Sequence, residues 1–170
     1  MSHDLRLALT GGVPIDSFIE QVQAHFEELL GGSAPRVTLL EGEMQGKWSA
    51  PVNRTIGDRG ALYVLGIEGV GELLRLGTYP DLEDMAEGMD AAAVDADVQV
   101  PFGQTELNFV LAASAAAALA MLNGTRIVDH SGLWVGGDGS ALSPQEFMVR
   151  YKKGKPLSYW MAAARIAGKP

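Results

Sequence analysis

The spacing of apolar and polar residues along the chain predicts strands that alternate with helices. "LRLALTGG" alternates and ends in glycines, which is typical of a strand followed by a turn. "PIDSFIEQVQAHFEELLGG" has apolar residues at helical spacing and two closing glycines, which predicts a helix capped by Asp16 or Ser17. "PRVTLLEGE" follows as a strand, so these segments together predict a strand-helix-strand unit.

The middle of the chain carries weaker signals. Residues 44–60 keep no period and contain several glycines and prolines, which predicts a long loop or a loose hairpin. "ALYVLGIEG" predicts a strand, whereas "VGELLRLGTY" fits a short helix or a strand, because periodicity does not separate the two in a short apolar run. We expect a helix near Leu82 to Met89 and a strand at "DVQVPF".

An apolar run, "FVLAASAAAALAML", occupies residues 109–122, and Ser114 is its one polar side chain. The run is shorter than the roughly 20 residues that cross a bilayer. We therefore expect a buried core helix from about Thr105 to Leu122, ended by Asn123 and Gly124.

The last part of the chain predicts a strand, a hairpin and two helices. "TRIVD" is typical of a strand, and "SGLWVGGDGSAL" of a hairpin whose turn is the glycine cluster. "SPQEFMVRY" predicts a helix with Ser143 as cap, Pro144 in the first turn and Glu146 completing a capping box. "PLSYWMAAARIAG" predicts a final short helix that begins at Pro156.

These elements favour one α+β domain over residues 1–170. Because the predicted strands are few and short, a mainly antiparallel sheet with helices packed on one face fits better than a doubly wound sheet. We expect ferredoxin-like connectivity, in the order βαββαβ, with C-terminal additions. A chain of this length can bury roughly 70% of the surface that its unfolded form exposes.

The composition narrows the functional classes. With 47% hydrophobic and 20% charged residues the chain is an ordinary globular protein, and the absence of cysteine excludes disulfides and thiolate metal sites. Asp4 stands where a signal peptide carries positive charge, so the expected compartment is the cytoplasm, without membrane association. We expect no cofactor.

The net charge is −8, and its excess lies in one window of the chain. Between Arg75 and Arg126 no Lys or Arg occurs, whereas from Phe147 onward there are bases and no acid. A solvated face is the commoner interpretation of a charge run. The alternative is a docking surface for a basic protein, where clustered carboxylates steer the encounter. The candidate partner-binding residues, called the acidic surface below, are Asp81, Glu83, Asp84, Glu87, Asp90, Asp95 and Asp97.

Several patterns that could carry chemistry have the wrong spacing. Gly66, Gly69 and Gly71 run G-x-x-G-x-G, and Leu74 occupies the place of the third glycine of a dinucleotide fingerprint, so a strand end and turn is the better interpretation. The triplet from Asp129 to Ser131 contains the residue types of a hydrolase triad. Adjacent side chains on an extended segment point to opposite faces, so a polar turn is expected there.

Metal and nucleic-acid sites are not favoured either. None of His3, His25 and His130 has a second histidine at i+3 or i+4, and His25 is spaced to border the core. The acids of residues 81–97 do not form a calcium-loop motif. "RYKKGKP" at 150–156 is a basic patch, but phosphate repels a molecule of charge −8, and lysines at a helix end also complement the helix dipole.

A second candidate site is a polar pocket formed by Glu41, Glu43, Arg54 and Arg59, which would suit a small enzyme or a ligand-binding domain. A solvated loop beside a strand end is the commoner interpretation of these residues. Three tryptophans in or beside loops and in the last helix, Trp48, Trp134 and Trp160, fit buried packing or a symmetric homo-oligomeric interface.

Four features occur together over residues 95–152: an alanine-rich helix ending in "NG", the strand "TRIVD", a glycine-rich hairpin with tryptophan, and the capped "SPQEF" helix. This pattern resembles uncharacterised bacterial α+β families, some of whose members are similar to immunity proteins of polymorphic or type VI toxin systems. The resemblance implies a small acidic cytoplasmic protein that binds and blocks a toxin, with no catalytic residues to transfer.

The sequence therefore favours a non-enzymatic protein-binding domain of the immunity type, whose acidic surface occupies a basic cleft on a partner. The partner would be a basic protein such as a cognate toxin, and neither nucleic acid nor a membrane is expected. The alternative is the small enzyme or ligand-binding domain with the polar pocket.

Overall fold

The computed structural model describes residues 3–42, 47–51, 55–57, 61–80, 94–100, 105–129, 131–136 and 139–168. The strands are β1 (His3–Leu9), β2 (Val13–Pro14), β3 (Val37–Gly42), β4 (Trp48–Ser49), β5 (Thr55–Ile56), β6 (Leu62–Ile67), β7 (Gly71–Pro80), β8 (Val94–Val100), β9 (Ile127–Val128) and β10 (Ala141–Leu142). The helices are α1 (Ile15–Leu30), α2 (Glu106–Asn123), α3 (Pro144–Lys153) and α4 (Leu157–Ile166).

The fold is α+β, as predicted, and the main sheet has eight strands in the order β10-β9-β1-β8-β7-β6-β3-β4. Every pairing in it is antiparallel, and β2 and β5 form a separate two-stranded sheet. The ambiguous "VGELLRLGTY" segment is the strand β7, which pairs on both sides and so gains two ladders of hydrogen bonds.

The connectivity is an expanded form of the predicted βαββαβ order. Between α1 and α2 the chain makes four long strands, β3, β6, β7 and β8, that pair in succession, where the ferredoxin-like order has two. β8 then pairs with β1, and β9 pairs with the other edge of β1 after α2. The C-terminal additions follow as β10, α3 and α4.

The first helix begins slightly earlier than its sequence signals indicate. Pro14 occupies the cap position, so the predicted caps Asp16 and Ser17 both lie inside the helix, with Asp16 in the first turn. Acidic residues are favourable there because the helix dipole is positive at its start. Gly31 ends the helix in the left-handed conformation, at φ 74°, as the glycine pair predicts.

The alanine-rich run lies in α2, which packs against β1, β7 and β8 on one side and against the other three helices. Among described residues this helix is long and apolar enough to span a bilayer by length and composition, but 72% of the apolar stretch is buried within the protein. The Ser114 hydroxyl donates to the Val110 carbonyl at 2.8 Å, so this polar group is satisfied inside the helix. The alanines allow α2 to approach the sheet closely.

Alternation along β1 and β8 separates the two faces of the sheet. Leu5, Leu7 and Leu9 are buried under the helices, and so are Ala96, Val98 and Val100. The intervening residues therefore point to the opposite face. Arg6, Asp95 and Asp97 lie on that opposite face, where Arg6 is exposed and the two acids are half-buried.

The end of the chain forms as predicted around α3. Ser143 accepts a hydrogen bond from the Glu146 amide, and the Glu146 carboxylate accepts one from the Ser143 amide at 3.1 Å, which completes the capping box. β9 and β10 pair as a hairpin, but the segment around Trp134 forms turns between them.

Candidate functional site

The described part of the acidic surface lies on β8. Asp95 and Asp97 are two residues apart, so both side chains point to the sheet face opposite the helices, and both are half-buried. The other predicted members, Asp81, Glu83, Asp84, Glu87 and Asp90, lie outside the described residues. Side-chain alternation along β8 therefore places two of the seven predicted acids on one face of the sheet.

Arg6 pairs with the acidic surface from the neighbouring strand. Its Nε donates to Asp97 Oδ1 at 3.0 Å, and the Arg6 side chain is 52% exposed while that of Asp97 is 13% exposed. The hydrogen bond and charge of Asp97, with smaller effects from Asp95 and Asp4, raise the pKa of the guanidinium. Three carboxylates thus act on one exposed cation, which leaves an excess of negative charge on this part of the sheet.

The same face also contains apolar side chains, away from β8. Val64 on β6 is only 3% exposed although it lies opposite the helices, between Leu40 of β3 and Arg75 of β7 in register. At the sheet edge, the Trp48 ring packs on Gly42 of the paired strand and leaves no room there for a Cβ. The face therefore carries the buried Val64 and the exposed Arg75 as well as the two β8 acids.

Of the four residues predicted to form a polar pocket, the structure describes one, Glu41. Glu41 lies on β3, half-buried, in register with Ser49 on one side and Tyr63 on the other. Its proposed companions Glu43, Arg54 and Arg59 lie outside the described residues, so the hypothesis remains a prediction.

An aromatic cluster that sequence analysis missed lies beside the basic patch at residues 150–156. The hydroxyl oxygens of Tyr151 and Tyr159 lie 2.7 Å apart, and Lys155 Nζ lies 5.4 Å and 5.6 Å from the centres of the two rings. Trp160 also packs edge-on against both rings. The sequence signal that could have indicated this cluster is "YKKGKPLSY", in which Lys155 lies four residues from each tyrosine.

Burial shifts the pKa values of the two tyrosines and the lysine in this cluster. It raises the pKa of Tyr159 to about 12 and that of Tyr151 well above its usual value. Burial also lowers the pKa of Lys155, which the charge of Asp129 partly offsets. Because both phenols stay protonated at neutral pH, they can donate the hydrogen bonds that join α3, α4 and α2, including one from Tyr159 to the Glu106 carbonyl at 3.3 Å.

Asp129 is a buried anchor for the turn after β9. Its carboxylate accepts hydrogen bonds from the amides of Trp134 and Val135 at 3.0 Å and 3.1 Å, and from the Ser131 hydroxyl at 2.9 Å. These contacts make the segment a polar turn, as predicted. His130 lies outside the described residues.

An open groove of about 540 Å³ lies beside α1, lined by Ile19, Glu20, Gln23, Glu27, Ala34 and Arg36. The Gln23 side chain donates to two carbonyls of the loop before β3 and accepts from the Val37 amide at 2.8 Å. Glu27 accepts from the Ala34 amide. These groups hold the loop in place, so their polar atoms already have partners.

His25 borders the core, as predicted. It is buried on α1, with Nε2 3.1 Å from the Gln21 amide nitrogen and Nδ1 3.8 Å from Glu28 Oε2. Desolvation lowers its pKa, against the opposing charge of Glu28. Within the described residues, no three His, Asp or Glu side chains form a group that could hold a metal ion.

Comparison with protein-family models, with curated proteins and with solved structures gives no match to this chain. A functional proposal for this chain therefore depends on its own sequence, geometry and charge.

Proposed function

We propose that the chain is a non-enzymatic protein-binding domain that engages a basic protein through its acidic surface. The supporting observation is the arrangement of Asp95 and Asp97, which share the sheet face opposite the helices.

The Arg6 contact shows that this face can hold a cation. The half-exposed Arg6 guanidinium donates to Asp97, whose side chain is 13% exposed, so a basic side chain of the partner would replace Arg6 at this carboxylate. Asp4 and Asp95 add negative charge around it. Clustered like charges raise the association rate with an oppositely charged partner and discriminate against acidic proteins.

The choice of partner rests on the sequence hypothesis that residues 95–152 resemble families that include immunity proteins. We propose a cognate toxin whose basic cleft the acidic surface fills, which blocks access of the toxin's own substrate. A cytoplasmic location goes with this role.

The test compares two variants of equal charge change. In the charge variant, Asp81→Asn, Glu83→Gln, Asp84→Asn and Glu87→Gln neutralise part of the acidic surface. In the control, Asp16→Asn, Glu20→Gln, Glu68→Gln and Glu72→Gln neutralise four exposed acids elsewhere. Each immobilised protein is exposed to an extract of the source organism, and the captured protein is identified and then titrated in purified form.

The proposal predicts a basic partner that the wild type and the control bind alike. The charge variant should bind at least tenfold more weakly, mainly through a slower association rate that falls with added salt. Equal binding by all three proteins, or capture of an acidic partner, would contradict the role of the acidic surface. Co-expression with a toxic partner should restore growth only when the acidic surface is intact.

A further inference from the structure

The last helix exposes apolar side chains that the fold does not cover. Leu157 and Met161 lie one turn apart on α4 and are 74% and 63% exposed. Arg165 follows one turn later on the same side and is also exposed. Ala163 is fully buried, and at about 100° per residue it lies on the other side of the helix from Met161. Leu157 and Met161 therefore project outward, and with Arg165 they are called the α4 ridge below.

The approach to the α4 ridge is basic. Lys152 and Lys153 are exposed in the last turn of α3. Because Lys153 precedes Leu157 by four residues, their Cα atoms lie within about 14 Å of each other. The sequence has no Asp or Glu after Glu146, so α4 and the connection before it contain no acid. Charge complementarity therefore favours a negatively charged occupant.

Among the described residues, two acids of other helices border this region. Lys152 Nζ donates to the Glu28 carbonyl at the end of α1, at 3.4 Å, and the Glu106 carbonyl accepts from Tyr159 of α4. Their carboxylates are outnumbered by the bases of α3, α4 and the connection, so the described part of this region is positive. These bases are Arg150, Lys152, Lys153, Lys155 and Arg165.

The form of the α4 ridge favours a lipid surface over a folded protein. A protein partner holds an apolar helix face in a groove of matching shape, whereas the boundary between headgroups and acyl chains accepts projecting apolar side chains without one. Lysines are flexible point charges, which suit the diffuse negative charge of a headgroup layer. Asp95 and Asp97 point to the sheet face opposite the helices, which keeps these two acids off the side that carries α4.

We propose that the α4 ridge and its flanking lysines bind the surface of an anionic lipid bilayer. Leu157 and Met161 enter the boundary between headgroups and acyl chains, while Lys152, Lys153 and Arg165 remain among the phosphate groups. Each base near such a surface strengthens binding about fivefold, and added salt weakens the effect. The binding is peripheral and needs no spanning segment, and it departs from the sequence-based expectation that no membrane is involved. It uses none of the acidic surface, so it is independent of the proposed function.

The experiment measures co-sedimentation of the full chain with vesicles of phosphatidylcholine mixed with phosphatidylglycerol, and with vesicles of phosphatidylcholine alone. The ridge variant carries Leu157→Gln and Met161→Gln, and its control is Val70→Gln, at an exposed apolar residue in the turn between β6 and β7. The base variant carries Lys152→Gln, Lys153→Gln and Arg165→Gln. Its control neutralises three exposed bases elsewhere, with Arg36→Gln, Lys47→Gln and Arg75→Gln. Circular dichroism checks that each variant is folded.

The wild type and both controls should bind the anionic vesicles and not the neutral ones, and about 1 M salt should release them, because charges are then screened beyond about 3 Å. The ridge variant and the base variant should each bind at least about tenfold more weakly.

A fluorescent label gives a second measurement, since the chain contains no cysteine. A dye attached through Met161→Cys should shift to shorter wavelength on anionic vesicles, whereas the same dye attached through Val70→Cys should not.

Three results would overturn the proposal: no binding of the wild type to anionic vesicles, equal binding to neutral vesicles, or equal binding by the ridge variant and its control. A base variant that binds no more weakly than its own control would contradict the role of the lysines and so overturn it too. Binding of an acidic protein through the α4 ridge, without binding to vesicles, would replace the lipid surface with a protein partner. A rise in the mass of the wild type with concentration, without binding to vesicles, would point instead to a second copy.

Discussion

The hydroxyl oxygen of Tyr151 lies 2.7 Å from that of Tyr159, and this contact joins α3 to α4 beneath Lys155. Tyr159 also donates to the Glu106 carbonyl at the start of α2. Two short helices that bury few residues of their own are thereby tied to the core helix.

Tyr159→Phe should lower the free energy of unfolding by about 2 kcal/mol, because it removes two hydrogen bonds and leaves the buried Tyr151 hydroxyl without this partner. Urea denaturation followed by fluorescence measures the change. Ser158→Ala, at an exposed neighbouring position, should change stability by less than about 0.5 kcal/mol. Equal effects of the two substitutions would show that the hydroxyl pair contributes little.

The stability of the fold should decline as the pH falls below about 6.5, the ordinary pKa of histidine. Burial lowers the pKa of His25 in the folded state, so this stabilisation is complete above the unfolded value and is lost as the pH drops toward the folded one. Urea midpoints measured from pH 8 to pH 5 should fall more steeply for the wild type than for His25→Gln. Parallel curves would rule out His25 as the titrating group.

Asp129→Ala should cost about 3 kcal/mol, because it removes a buried carboxylate that accepts from two backbone amides and a hydroxyl. Ser131→Ala removes one of these bonds and should cost about 1 kcal/mol. Near-ultraviolet circular dichroism should report the loss of order around Trp134 in the first variant. A cost for Asp129→Ala no greater than that for Ser131→Ala would contradict the anchoring role.

Ala116→Leu should destabilise the protein by roughly 3 kcal/mol, because Ala116 is fully buried in α2 and the larger side chain must displace well-packed neighbours. Leu122→Ala, on the same helix but 39% exposed, should cost less than about 1 kcal/mol. Thermal unfolding of both variants makes the comparison. A stabilised Ala116→Leu variant would show instead that α2 has free space beside it.

Local patterns were good predictors where one element contained the whole signal. The capping box at Ser143 and Glu146 and the glycine that ends α1 both formed as predicted, because each depends on residues within one turn. The segment that forms β7 was ambiguous between a helix and a strand, because its strand conformation is stabilised by pairing with β6 and β8. The start of α1 shifted because Pro14 fits the cap position geometrically without a side-chain hydrogen bond.

The candidate sites depended on contacts across the fold. The shared face of Asp95 and Asp97 follows from two-residue alternation and could be predicted once β8 was recognised. The pairing of Asp97 with Arg6, 91 residues away in the sequence, could not be predicted, because the neighbour of β8 is set by the sheet order. The Tyr151–Tyr159 contact likewise needs the angle between two helices, which no local period encodes.

The sequence by itself determined the α+β class, the core helix of alanines and the separation of charge along the chain, because these depend on composition and on spacing within single segments. Only the tertiary structure decided the order of the strands, the expansion of the ferredoxin-like connectivity by two strands, and the pairing of Arg6 with Asp97. Those features arise from burial and strand pairing between segments that are far apart in the sequence, so no single segment contains the information.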